Sequence, residues 1–347
     1  MMKIIITIIV SVAMVTSVYA RDQVKIVGSS TVYPFASFVA EEFGSVSRYP
    51  TPVVESTGTG GGMKLFCTDN SLRSPDIANA SRRIKIKEYN LCVRNGVNNI
   101  TEVMFGYDGI VVAQAQKNEA LNITKRELLL AVAKKVPNRE GSGLINNPYQ
   151  YWDQINTALP HRKISVYGPP ISSGTRDAFE EIVMQYQTEE MKVYRDAGLK
   201  GYRIIRSDGV YIPSGENDNL IVKKLTKDTM ALGIFGYSFL AENDDLIKGI
   251  KIDGILPTSK AISSKEYPIS RSLFFYVKND HIEQVPAMKE YIEMFLNKEV
   301  IGQEGLLTEI GLIPMEDALI EATLMKVKAK ETLEMVDLEE AQRITQR

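Results

Sequence analysis

Four times along this chain a short stretch that reads as a β-strand ends in hydroxyls and glycines. Ser29-Ser30-Thr31 follows the strand Gln23–Val27, and Thr57–Gly62 follows Thr51–Ser56. Asn79-Ala80-Ser81 closes Asp76–Ala80, and Ser172-Ser173-Gly174-Thr175 follows Lys163–Tyr167. Helical patterns start after several of these turns, as at Val32–Phe43, where Pro34 falls in the tolerated first turn. Strand, turn and helix repeated in this way predict a mainly parallel sheet with helices on its faces.

The turns also carry a chemistry. In an open α/β sheet, ligands sit outside the carboxyl ends of the strands. The first N–H groups of the following helices are unpaired there and carry partial positive charge. Hydroxyls add donors, and glycines let the backbone approach a ligand closely. Any one of these turns reads equally well as ordinary helix capping. Four of them at similar positions point to an oxyanion held by neutral donors.

Other chemistries find no support. A Walker A loop needs Gly-Lys followed by Ser or Thr, but Gly62 is followed by Met63, Lys64 and Leu65. A dinucleotide fingerprint would need glycine at position 63. The chain has 2 histidines, His161 and His281, both in stretches that read as loops. It has no Gly-x-Ser-x-Gly elbow and no His/Cys spacing suited to a metal. The acidic pairs Asp244-Asp245 and Glu339-Glu340 lie in polar runs and read as solvated. A net charge of −2 without basic blocks argues against bulk binding to nucleic acid or anionic membranes.

The ends suggest an exported protein. Met1–Lys3 is a short positive region, Ile4–Val15 is too short an apolar run to span a bilayer, and Val18-Tyr19-Ala20 suits signal-peptidase cleavage. A mature chain beginning at Arg21 is expected. Its first cysteine is Cys67, so the leader has none to carry a lipid anchor, which favours the periplasm of a two-membrane cell. Cys67 and Cys92 are the only cysteines, and in an oxidising compartment they are expected to pair. Val103–Ala113 and Ser272–Lys278 read as strands long and apolar enough to cross between two lobes. Glu316–Arg347 is charged and helix-prone, and is expected to pack loosely.

Four segments, VGSSTVYPFASFVAEEFG, ESTGTGGGMKLFC, DIANASRRIK and ISSGTRDAFEE, together resemble the phosphate-binding protein of the bacterial phosphate-specific ABC transporter. The resemblance runs to about Pro314. It implies a type II periplasmic-binding-protein fold: two α/β lobes, two hinge crossings and a ligand cleft. Lobe 1 would comprise 21–107 plus 248–314 and lobe 2 would comprise 108–247, with 1–20 a signal peptide and 315–347 a C-terminal helical extension. It implies ligand contacts at Thr31, at the Val32 N–H, at Thr59 or Gly60, at the position after Ser81, and at Ser173, Gly174 and Thr175. Ser30 and Ser81 complete the neutral donors.

The chain departs from that family twice. Arg82 stands where an Asp accepts the proton of phosphate, and Pro169 stands near where the family places an Arg. Arg82 and Arg176 are therefore the candidate cations, since Arg suits bidentate oxyanion contact, while Arg83 reads as a surface charge. Asp108 is the first candidate for a replacement proton acceptor. The expected function is capture of inorganic phosphate by a monomer and its delivery to an ABC permease, with no cofactor, metal, nucleic acid or catalytic residue. The alternatives are another oxyanion, such as sulfate or molybdate, or a secreted phosphatase.

Overall fold

The computed structural model describes residues 21–171, 173–215 and 219–345. The expected leader, 1–20, and Ser172 lie outside the described residues. Nine strands form one sheet: β1 Lys25–Gly28, β2 Val53–Ser56, β3 Ile77–Ala80, β4 Ile100–Ala115, β5 Val166–Gly168, β6 Tyr211–Pro213, β7 Leu232–Gly236, β8 Ile247–Gly249 and β9 Ser270–Lys278. Their order is β2-β1-β3-β9-β4-β7-β5-β6, with β8 also paired to β4. The β1–β2, β1–β3, β5–β7 and β5–β6 pairs are parallel, as the strand-turn-helix pattern requires, whereas β9 and β4 run antiparallel to their neighbours.

Those two antiparallel strands divide the molecule. Along β4, Val103 and Phe105 pack in one core with Ile26, Val39 and Phe275, while Ile110 and Val112 pack in another with Trp152, Val166 and Ile234. The return passage lies around residue 270: Ile269 belongs to the second core and Leu273 to the first. Ile250, Ile252, Ile262 and Tyr267 also pack in the second core. At the crossing itself Arg271 lies directly opposite Asp108 in the β9–β4 register.

Local rules account for the elements near the cleft. The helix Tyr33–Val46 takes Pro34 in its first turn. Thr124 caps Lys125–Val132 through the expected reciprocal pair, with Glu127 N–H to Thr124 Oγ1 at 3.1 Å and Thr124 N–H to Glu127 Oε2 at 2.7 Å. The glycine turn after β2 leads into the helix Thr59–Phe66. A Cβ on Gly62 would come within 2.4 Å of Gly28 Cα, so the turns after β1 and β2 lie against each other only because glycine is there. A disulfide joins Cys67, at the end of that helix, to Cys92 in the helix Ile86–Arg94, as expected.

Two expectations fail. The C-terminal segment does not pack loosely. Its helix Asp317–Lys328 buries Ile320 and Val327 in the first core, while Leu333, just before the helix Met335–Thr345, and Leu338 within it pack around the disulfide. Leu333 N–H also bonds Ile100 O at 2.8 Å, and Tyr89 Oη donates to Leu333 O at 3.0 Å. His281 is not in a solvated loop. It is fully buried, 2.7 Å from Asp76 Oδ1 and 3.2 Å from Asn70 O, because the polar run around it folds against the segment that leads into β3. Among the described residues no helix is long and apolar enough to cross a membrane.

Candidate functional site

Where the strands cross, a cavity of about 560 Å³ opens between the two halves. Ser30 and Thr31 line it from the turn after β1. Ser173, Gly174 and Thr175 line it from the turn after β5, and Asp108 from β4. The two turns touch. Thr31 Oγ1 lies 3.2 Å from Gly174 O, and Ser30 Oγ donates to Asp177 Oδ2 at 3.2 Å. Ser173 is the N-cap of Gly174–Phe179, yet its side chain makes no capping hydrogen bond. The bland reading of that turn therefore leaves its hydroxyl without a task.

Arg271, which was not among the sequence candidates, backs two residues that line this cavity, Thr31 and Asp108, while its own side chain lines a second one. It is buried, donates through Nη2 to Thr31 Oγ1, and places Nε 3.3 Å from Asp108 Oδ2 and Nη1 3.5 Å from Glu181 Oε2. Its signal in the sequence was an arginine directly preceding the apolar crossing strand Ser272–Lys278. A charge there must be partnered or functional, because burying it alone is very costly. Glu181 lies on a single π-helical turn, Glu180–Gln185. Such turns occur often at functional sites.

The expected arginines are engaged elsewhere. Arg82 makes a bidentate pair with Glu88, at 2.8 and 2.9 Å, and reaches Glu181 at 3.5 Å. Burial opposes the Arg82 charge, but Glu88 outweighs it and holds the guanidinium pKa above its ordinary value. Burial would likewise raise the Glu88 carboxyl, yet Arg82 keeps it below the usual range. Arg176 bonds Glu180 at 2.5 Å and Pro169 O at 3.3 Å, and stacks 4.5 Å above the Tyr211 ring. Arg83 pairs with Glu102 and donates to Asp337 O, which ties it to the C-terminal helix.

The remaining candidates divide by position. Thr59 Oγ1 and Ser81 Oγ lie 3.1 Å apart and are buried, and Thr59 Oγ1 also accepts Ser81 N–H at 3.2 Å. Gly60 is exposed on the helix beside Thr59. Val32 N–H is taken by Ser29 Oγ at 3.4 Å. Ser81 and Arg82 line a second cavity together with Arg271. Thus Ser30, Thr31, Ser173, Gly174, Thr175 and Asp108 come together, whereas Val32, Thr59, Gly60 and Arg176 do not line the same space. Among the described residues no group of three or more His, Cys, Asp or Glu could hold a metal ion.

The electrostatics are unusual for an anion site. Two guanidiniums, Arg82 and Arg271, are met by three carboxylates, Glu88, Glu181 and Asp108. An anion entering here gains little from net charge. It must be held by directed N–H and O–H donors, and it gains further if it brings a proton for a carboxylate.

Comparison with known proteins bears on the family and the fold. Residues 16–299 match the PBP superfamily domain. The chain is 29% identical to Protein SphX of Synechococcus elongatus over 311 residues, 88% of this chain and 81% of that protein. It is 28% identical to the phosphate-binding protein PstS of Staphylococcus haemolyticus over 283 residues, 80% of this chain and 77% of the other. Among solved structures, a possible phosphate binding protein from Planctomyces limnophilus superposes with a TM-score of 0.72 at 28% identity, covering 89% of this chain and 98% of its own. An ABC-type phosphate transport receptor from Vibrio cholerae shares the fold at 20% identity and a TM-score of 0.60, over 85% of this chain and 100% of its own.

Proposed function

Because the chain belongs to the PBP superfamily and has the two-lobe type II periplasmic-binding fold, we propose that its cleft captures inorganic phosphate and that the loaded protein delivers it to an ABC permease. The reaction is binding and lobe closure, without covalent chemistry. The protein acts as an exported monomer in the periplasm. The lobes are the two cores, divided at the β4 and β9 crossings.

One observation carries this reading: Asp108 shares the cavity with the Ser173-Gly174-Thr175 turn, and Arg271, opposite Asp108 at the hinge crossing, bonds both Asp108 and Thr31 of the cavity wall. Arg271 gives the guanidinium that binds an oxyanion, in the role first assigned to Arg82 and Arg176. Asp108 accepts the proton of hydrogen phosphate. Thr31, Ser173 and Thr175 give neutral donors, and the N–H groups at the start of Gly174–Phe179 complete the cradle. Sulfate has no proton for Asp108 and would set unscreened negative charge against it. The names of the PstS relative and of the superposed structures, which refer to phosphate, support the same ligand.

Calorimetric titration tests the proposal. Phosphate is expected to bind tightly and sulfate weakly. Thr175→Val keeps the side-chain shape and removes one hydroxyl. A hydrogen bond to a charged group is worth about 1.5–3 kcal/mol, so phosphate affinity should fall about tenfold or more. Equal affinity for sulfate and phosphate would replace phosphate by a general oxyanion. Unchanged affinity in Thr175→Val would return the turn to plain capping.

A further inference from the structure

The second cavity, of about 1230 Å³, is walled by Arg271 together with Ser81 and Arg82. Seven basic side chains line it and only two acidic ones, Glu102 and Glu181. Both acids are already occupied, Glu102 by Arg83 and Glu181 by Arg82 and Arg271. The other four cations, Lys85, Lys87, Lys125 and Lys265, have no carboxylate partner among the described residues. They come from separate segments on both sides of the cleft. Lys85 precedes the helix Ile86–Arg94, Lys125 begins the helix Lys125–Val132, and Lys265 follows the helix Ser259–Ser263. Lys265 also holds a positive φ of 63°, a conformation that costs free energy in a non-glycine residue and gathers at functional sites.

We propose that this cavity is a second anion site, built for an inorganic oligophosphate such as tripolyphosphate. The volume far exceeds the needs of one phosphate. Lysines are point charges on flexible stems rather than planar forks, which suits a chain of phosphoryl groups that can lie in more than one register. Four ammonium groups outside any salt bridge, around one concave surface, concentrate polyvalent anions from solution. Burial, and then the neighbouring Arg82, already push the Lys85 ammonium below its ordinary pKa, a cost that a bound polyanion relieves. The lysines of this site do not line the smaller cavity, and Arg271, which lines the larger one, touches the smaller only through Thr31 and Asp108.

The test is a calorimetric titration of tripolyphosphate into the full chain already saturated with orthophosphate, at near-physiological salt. Binding is expected in the saturated protein. A triple variant, Lys87→Gln, Lys125→Gln and Lys265→Gln, should lose about tenfold in tripolyphosphate affinity, since each partly exposed pair is worth up to about 1 kcal/mol. Its circular dichroism and its orthophosphate affinity should match the parent. Three results would each overturn the site: no heat from tripolyphosphate, a triple variant that binds it like the parent, or sulfate binding there as well as tripolyphosphate does. The titration also reads out in protein without orthophosphate, so its outcome is separate from that of the phosphate proposal.

Discussion

Lys278 ends β9 inside the first half of the molecule, fully buried, with its ammonium donating to Asp69 O at 2.7 Å and to Ser74 Oγ at 2.6 Å. Burial lowers its pKa from an ordinary 10.5 to about 8. Between those values the unfolded chain holds a proton that the folded chain has released. Stability from this group therefore rises with pH across that window and is flat below it. Relative to Lys278→Met, the parent should gain about 2 kcal/mol between pH 8 and pH 10, at about 1.4 kcal/mol per pH unit. Urea denaturation of both proteins at several pH values measures this, and a constant gap would refute it. Lys278 also shows what a sequence hides at this scale. Residue type was visible for Arg82, Arg176, Arg271, Lys278 and His281, but the partner was not. Arg82 looked free because Glu88, six residues on, could not be seen to turn back onto it. Asp108 was legible as a candidate because an acid in a crossing strand has few bland explanations.

At the scale of elements, punctuation did most of the work. Glycines, prolines and hydroxyls marked the ends of β1, β2, β3 and β5, and the strict capping pair marked Lys125–Val132. The π-helical turn at Glu180–Gln185 and the packing of the C-terminal helices were not legible. The π-turn has no residue signature in the chain. Among the described residues the C-terminal segment buries sparse large apolar side chains, Ile320, Val327, Leu333 and Leu338, too widely spaced to read as one face. The disulfide was legible from the cysteine count, and it ties the helix after the glycine turn to the helix that presents Glu88. It closes a loop with a sequence separation of 25. Replacing both cysteines by Ala should lower stability by about 3 kcal/mol in the chain-entropy model, read as a lower denaturant midpoint. In reducing buffer the gap between parent and variant should close, because the parent has then lost the bond too. A double variant as stable as the oxidised parent would show that the bond carries no such weight.

At the scale of the whole molecule, the two halves meet where Gly174 approaches the turn after β1. A Cβ at Gly174 would stand 2.7 Å from Ser30 O and 2.9 Å from Thr31 Cα. Both are backbone atoms, so neither can swing aside as a side-chain tip could. Nearby, the Thr31–Gly174, Ser30–Asp177 and Arg82–Glu181 contacts cross the same gap. Closure onto an anion, the motion the proposed function requires, therefore depends on the absence of one methyl group. In Gly174→Ala the halves must part, and the hydroxyls and N–H groups can no longer reach one ligand from both sides. Overpacking of this kind costs about 1–3 kcal/mol, so phosphate affinity should fall about tenfold or more. Small-angle scattering adds an independent reading: the parent's radius of gyration should shrink when phosphate is added, and that of Gly174→Ala should not. A variant that binds and contracts like the parent would mean that closure does not bring Gly174 against Ser30 in solution, and that the cradle works from one side of the cleft alone.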